Sequence, residues 1–189
     1  MIITPAEPHD VTKLLTFRQE AAAWLRDLGS DQWSRPYPAD KLLATIEAGA
    51  VFMLRDAHTT AATITLTPDA EDGLWTEDEL TEPSMFINKL TVAREYAGQN
   101  LGGRLVDWAC DRAYRAGAKW VRLDAWTTNE GLQRYYLGQG FTYVRTVREG
   151  FAPNGGPRVS GWLAQRVAQP ADHGFTDHTP TPTRLPTAA

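Results

Sequence analysis

The apolar residues of this chain change period several times, and each change marks an element. Leu14, Phe17, Ala21, Trp24 and Leu28, widened by Val11, Leu15 and Leu25, follow the 3.6-residue period of a helix with one broad buried face. Asp10 is placed to cap it and Gly29 to end it, and this reading puts Trp24 in the core. A polar loop from Ser30 to Pro38, interrupted by Trp33 and Tyr37, leads to a second helix from about Pro38 to Glu47, which Gly49 stops. Met1 to Thr4 is a short edge strand interrupted at Pro5 to Pro8. Val51 to Arg55 and Ala61 to Thr67 read as two strands joined by a polar hairpin turn that leaves His58 exposed.

The stretch from 84 to 141 carries the most information. Met85 to Val92 has the apolar, β-branched and aromatic character of a strand, and Arg94 to Gly98 turns polar. Leu101, Leu105, Trp108, Ala109 and Ala113 then keep helical spacing until Gly117. The first N–H groups of such a helix have no internal acceptors and form the positive end of its dipole, an arrangement suited to a phosphate. Gly98, Gly102 and Gly103 permit close approach to the backbone, although glycines also open helices for structural reasons.

Further strands are expected at Trp120 to Ala125, Phe141 to Val147 and Val159 to Val167, with a helical segment after Asn129 and a turn at Pro153 to Pro157. Beyond residue 167 the chain is rich in Pro and Thr without apolar periodicity. The expected organisation is one domain over 1–167 and a disordered tail over 168–189.

Composition narrows the class. A chain of 189 residues with 42% hydrophobic content suits a soluble globular domain. The net charge of −4 argues against a nucleic-acid or anionic-membrane partner and is more compatible with a cationic acceptor. The lone Cys110 excludes an internal disulfide framework, and the first residues lack a basic segment followed by an apolar one, so a cytoplasmic location is expected. No His, Cys or carboxylate grouping has metal-ligand spacing.

Several residues have two readings. The acidic run from Pro68 to Pro83 is either a solvated loop or the border of an acceptor pocket, with Glu77, Asp78, Glu79 or Glu82 attracting a cation and Trp75 packing on it. Asp124, a carboxylate in an apolar strand, is either a base or a loop hydrogen-bond partner.

The strand ending in Leu90-Thr91-Val92, the loop Gly98-Gln99-Asn100-Leu101-Gly102-Gly103 and the series Asn129, Tyr136, Gly140-Phe141 resemble the GNAT superfamily of acyl-CoA-dependent N-acetyltransferases. The resemblance implies a mixed α/β fold with a central, largely antiparallel sheet flanked by helices, and acetyl-CoA as cofactor. It implies that Leu90, Thr91 and Val92 pair with the pantetheine arm and that Ala97 to Arg104 hold the pyrophosphate. Ala97 stands where the family has Arg or Gln, and Asn100 stands where it has its first Gly. Asn is the non-glycine residue most tolerant of a left-handed backbone. Asn129 caps its helix, contacts the coenzyme, or both. Trp33 and Tyr37 form an aromatic wall of the acceptor site or simply pack.

Acetyl transfer to an amine needs a base, because an alkyl ammonium has a pKa near ~10.4. Glu82, Glu79 and Asp124 are the candidates. A phenol is a suitable acid for the departing thiolate, and spacing to Gly140-Phe141 selects Tyr136 over Tyr135. The expected activity is N-acetylation of a small-molecule amine by direct attack in a ternary complex, by a monomer or homodimer. The alternatives are a non-catalytic coenzyme A-binding regulatory domain and an enzyme acting on a protein lysine or amino terminus.

Overall fold

The computed structural model, which describes residues 1–30, 32–150 and 158–186, contains both helices and strands along the chain. In chain order they are β1 (Ile2–Pro5), α1 (Val11–Asp27), α2 (Ala39–Glu47), β2 (Val51–Asp56), β3 (Thr59–Thr67), α3 (Glu77–Leu80), β4 (Ser84–Val92) and α4 (Leu101–Arg115). These are followed by β5 (Trp120–Trp126), α5 (Glu130–Gly138), β6 (Thr142–Thr146), β7 (Ser160–Val167) and β8 (Thr176–Asp177). The eight strands are hydrogen bonded in the order β6-β7-β5-β4-β3-β2-β1-β8, and helices flank the sheet. The expected turn at 153–157 lies outside the described residues. No described helix is long and apolar enough to cross a membrane. Contacts divide the chain into two compact units, each assembled from separate stretches.

The first unit comprises Met1–Leu66, Lys89–Leu105 and Gly174–Thr181. Ala61 to Leu66 of β3 are all buried, the pattern of a strand covered on both faces. Ala6, Leu14, Leu42, Ile46, Val51 and Met53 form one core cluster between α1, α2 and β2. On α1 the buried positions are Leu14, Phe17 and Leu25, whereas Trp24 is 37% exposed, with the Arg94 guanidinium 4.4 Å above its ring. Trp24 therefore leaves the core that the sequence pattern gave it. At 100° per residue, Leu25 lies almost under Leu14 and Trp24 is turned aside.

Asp10 also differs from expectation. A 3-10 turn at Pro8–Asp10 precedes α1, and the Asp10 carboxylate accepts from the Glu7 N–H at 2.9 Å and from Arg55 at 2.9 Å, with no side-chain bond to α1.

The C-terminal stretch, expected to be disordered, holds β8. It pairs parallel with β1 through Ile2↔Thr176 and Ile3↔Asp177, so β1 is not the edge strand. Phe175 is buried beneath the Arg104 guanidinium, 4.2 Å from the ring centroid. One aromatic anchor and a two-residue strand are too small a signal to emerge from a Pro- and Thr-rich composition.

The second unit comprises Thr67–Asn88, Val106–His173 and the chain from Pro182. The first half of β4 runs parallel to β5 from Ser84↔Trp120 to Ile87↔Leu123. β7 is antiparallel to both β5 and β6 and lies between them. Leu74, Trp75, Phe86 and Leu163 form a core cluster, and Trp108, Ala109, Cys110 and Ala113 of α4 are all fully buried. Gly161 is required in β7, since a Cβ there would lie 2.0 Å from the Val147 carbonyl oxygen.

Candidate active site

β4 passes from its fully buried half to a half-buried stretch, Asn88 to Val92, whose residues from Lys89 onward belong to the first unit. Lys89 has a positive φ of 49°, a conformation that costs a lysine free energy and marks a local break in the strand. The Ala93 N–H is held by the Ala61 carbonyl at 2.9 Å, and the Tyr96 phenol donates to Asp56 at 3.2 Å. Gly98 at φ 82° and Asn100 at φ 54° then turn the chain into α4. Asn100 thus adopts the left-handed backbone that its sequence position demands.

The first helical bond of α4 runs from the Arg104 N–H to the Asn100 carbonyl at 3.1 Å. The N–H groups of Leu101, Gly102 and Gly103 precede it and have no carbonyl to reach within the helix. With the helix dipole behind them and no Cβ on two of the three residues, these donors fit a pyrophosphate. Arg104 is engaged elsewhere: it donates to the Gly174 carbonyl at 2.8 Å and covers Phe175, which makes it a clasp for the C-terminal segment.

A solvent-open cavity with ≈ 40 Å³ of enclosed space lies in the same unit. Its walls include Trp33, Tyr37 and the β4 residues Lys89 and Thr91. Trp33 and Tyr37, read from the sequence as an aromatic wall or as packing residues, both line it. Between them the cavity contains Arg18, 4.9 Å from the Trp33 ring centroid and 5.1 Å from that of Tyr37.

In the second unit, Asn129 caps α5, its Oδ1 accepting from the Leu132 N–H at 3.0 Å. Gln133 ties the helix to the end of β5 by donating to the carbonyls of Trp126 and Thr127 at 3.0 and 3.2 Å. This fixes Tyr136, which is buried with its ring edge-on to Tyr135 and Phe141, at centroid distances of 5.5 and 5.6 Å. Burial, then the neighbouring Tyr135 and the Asp124 charge, push the Tyr136 phenol well above its ordinary value. It therefore holds its proton at any physiological pH. Asp124 accepts a hydrogen bond from the Ser160 hydroxyl and is the one candidate base whose charge acts on Tyr136.

The acidic run is more ordered than a solvated loop. Thr76 and Glu79 form a capping box at the start of α3, which is how a single helical turn forms there. The Glu79 carboxylate also pairs with Arg145 at 2.6 and 2.7 Å, and that pairing lowers its pKa to about 2. Glu82 accepts from Lys119, from the Trp120 indole at 2.8 Å and from Arg122 at 3.0 Å. Lys119 first, then Trp120 and Arg122, hold the Glu82 carboxyl below the usual range. Both glutamates are weak bases for this reason. Trp75 is buried, 4.7 Å from the Arg122 guanidinium and edge-on to Phe86, a core position rather than an acceptor wall. Glu77 is exposed in the first turn of α3.

The sequence reading missed three cations: Arg18, Lys89 and Arg122. Arg18 had a usable signal, since it lies four residues after Leu14 and so on the face that Leu14 buries. Arg122 is 1% exposed inside an apolar strand, and its ligands Glu82, Gln165 and the Glu79 carbonyl are remote in sequence.

A mixed sheet whose fourth strand leads through a left-handed Gly and Asn turn into the N-terminus of α4 is an α/β arrangement suited to holding a coenzyme phosphate. Residues 18–141 match the model of the acetyltransferase (GNAT) family, and the chain belongs to that family. It is accordingly an acetyl-CoA-dependent acetyltransferase. The Bacillus subtilis (strain 168) protein named uncharacterized N-acetyltransferase YesJ is 29% identical over 153 residues, which span 78% of this chain and 84% of YesJ. The fold is shared with a GNAT-family acetyltransferase from Listeria monocytogenes 4b F2365, at 24% identity and a TM-score of 0.69, covering 87% of this chain and 93% of that one. It is also shared with yncA of Salmonella typhimurium, whose structure holds acetyl-CoA, at 17% identity and a TM-score of 0.61, covering 88% and 93%.

Proposed function

We propose that this enzyme acetylates the primary amine of a small molecule by direct attack within a ternary complex. The observation that supports a small acceptor is the solvent-open cavity lined by Trp33, Tyr37, Lys89 and Thr91, a concave site with aromatic walls and a few polar groups. Its Lys89 and Thr91 belong to the same strand that leads into the phosphate-type loop, so one backbone segment serves cofactor loop and cavity.

When bound, acetyl-CoA supplies an acetyl group activated as a thioester. The N–H groups of Leu101, Gly102 and Gly103 would donate to its pyrophosphate, and the β4 backbone at Leu90 and Val92 would pair with its pantetheine arm. Tyr136 keeps a proton on its hydroxyl for the leaving thiolate. Asp124 takes the proton of the acceptor ammonium, a role for which Glu79 and Glu82 are disqualified by their ion pairs.

The test measures thiol release from acetyl-CoA with pooled free amines and, separately, with peptides bearing free amino termini and lysines. Turnover with free amines alone is expected. Turnover confined to peptides would assign the enzyme a protein acceptor instead.

A further inference from the structure

Electrostatics of the first-unit cavity run against the cationic acceptor that the acidic composition favours. The lining holds two cations, Arg18 and Lys89, and no Asp or Glu among the described residues. The Arg18 Nε is buried and has no hydrogen-bond partner among the described residues. Arg18 lies against the Trp33 and Tyr37 rings, and the Lys89 ammonium is 4.9 Å from the Tyr37 ring centroid. Burial lowers the Arg18 pKa, so its charge is held in poor solvent. A desolvated guanidinium with an unused donor gains most from an anion that takes two parallel N–H bonds, which is the geometry of a carboxylate. Around this charged point the lining combines an aliphatic wall of Leu14, Leu15, Leu42 and Val51 with Thr63, Thr65 and Thr91. Lys89 reaches the cavity from a backbone conformation that costs free energy, as at many ligand sites.

We propose that the cavity binds an acceptor carrying a carboxylate beside its amine, an amino acid with an apolar side chain, and that Arg18 and Lys89 are its anion-binding pair. This rests on the acetyl-transfer reading above and narrows its substrate class. The apolar wall takes the side chain, and the aromatic rings keep the guanidinium planar and in place.

The experiment titrates the purified enzyme, without coenzyme, with the N-acetyl derivatives of leucine, valine and phenylalanine. Each is compared with the amide that lacks its carboxylate. At least one N-acetyl amino acid is expected to bind roughly 10- to 100-fold more tightly than its uncharged partner, and Arg18→Gln is expected to erase that difference. In turnover, Arg18→Gln raises KM for the amino acid by a similar factor, leaves KM for acetyl-CoA unchanged, and Arg18→Lys recovers part of the loss. Lys89→Gln gives a second, independent loss of carboxylate preference should Arg18→Gln fail to fold.

No binding by any carboxylate, or equal binding of each pair, overturns the proposal. So does a variant that weakens acetyl-CoA instead, since the anion is then a coenzyme phosphate. A parallel titration with acetyl-CoA separates the two readings. Failure of that titration alone removes acetyl transfer while the carboxylate comparison still decides the cavity.

Discussion

Arg145 is gripped by both carboxylate oxygens of Glu79, at 2.6 and 2.7 Å, so this glutamate is built into the second unit. Its pKa falls from an ordinary 4.5 to about 2, chiefly through Arg145. A carboxylate with a depressed folded-state pKa stabilises the fold above its unfolded value and loses that contribution as pH falls toward the folded value. Glu79→Gln is therefore predicted to cost about 1–2 kcal/mol at pH 7, limited by partial exposure of the pair, and progressively less between pH 4.5 and 2. Urea unfolding at pH 7 and pH 3 measures this. Turnover of the folded variant should stay near wild type; a collapse of kcat at unchanged stability would return Glu79 to a catalytic role.

Tyr136→Phe keeps the ring contacts with Tyr135 and Phe141 and removes only the hydroxyl. It is predicted to lower kcat about 100-fold with the acetyl-CoA dissociation constant unchanged. Because its phenol titrates above the ordinary 10, wild-type kcat should show no alkaline decline from this group below pH 10. Steady-state kinetics from pH 6 to pH 10 check both statements.

At Asn100 the backbone demands φ 54°. Asn100→Gly is predicted to be neutral or slightly stabilising, while Asn100→Val costs about 1–2 kcal/mol and weakens acetyl-CoA roughly tenfold by distorting the turn into α4. Thermal unfolding and calorimetric titration of both variants test the pair. Equal behaviour of Gly and Val would show that the turn tolerates either backbone.

Much of this architecture was legible because local chemistry announces it. Gly29, Gly49 and Gly117 take positive φ where the helical pattern stops, and the β2–β3 hairpin forms around Ala57 and His58 as its polar turn requires. The loop before α4 was legible because its chemistry depends on neighbours in sequence: Gly98, Asn100 and the first helical N–H groups. The roles of Glu79 and Glu82 were not. Their partners Arg145 and Arg122 come from other strands, and a carboxylate reads the same in sequence whether it meets an arginine or solvent. For Arg18 the helical spacing from Leu14 was legible, but its partners were not, since only the fold shows that Trp33 and Tyr37 close around it.

The C-terminal segment shows the limit of compositional reasoning. Phe175 and the short β8 fasten it to β1 and Arg104. Phe175→Ala is predicted to cost about 3 kcal/mol and lower Tm by about 6–12 °C. Calorimetric melting reads the change, and an unaltered Tm would mean that the segment adds nothing to stability.

The central claim, acetyl transfer to a small amine with Tyr136 as the acid, is tested most directly by mass spectrometry. Purified enzyme is incubated with acetyl-CoA and pooled free amines, with Tyr136→Phe run beside it. The account predicts a product heavier by one acetyl group whose yield falls sharply in the variant. A product formed equally by both proteins would remove Tyr136 from the chemistry, and no product from any free amine, with acetyl-CoA bound, would contradict the small-molecule acceptor.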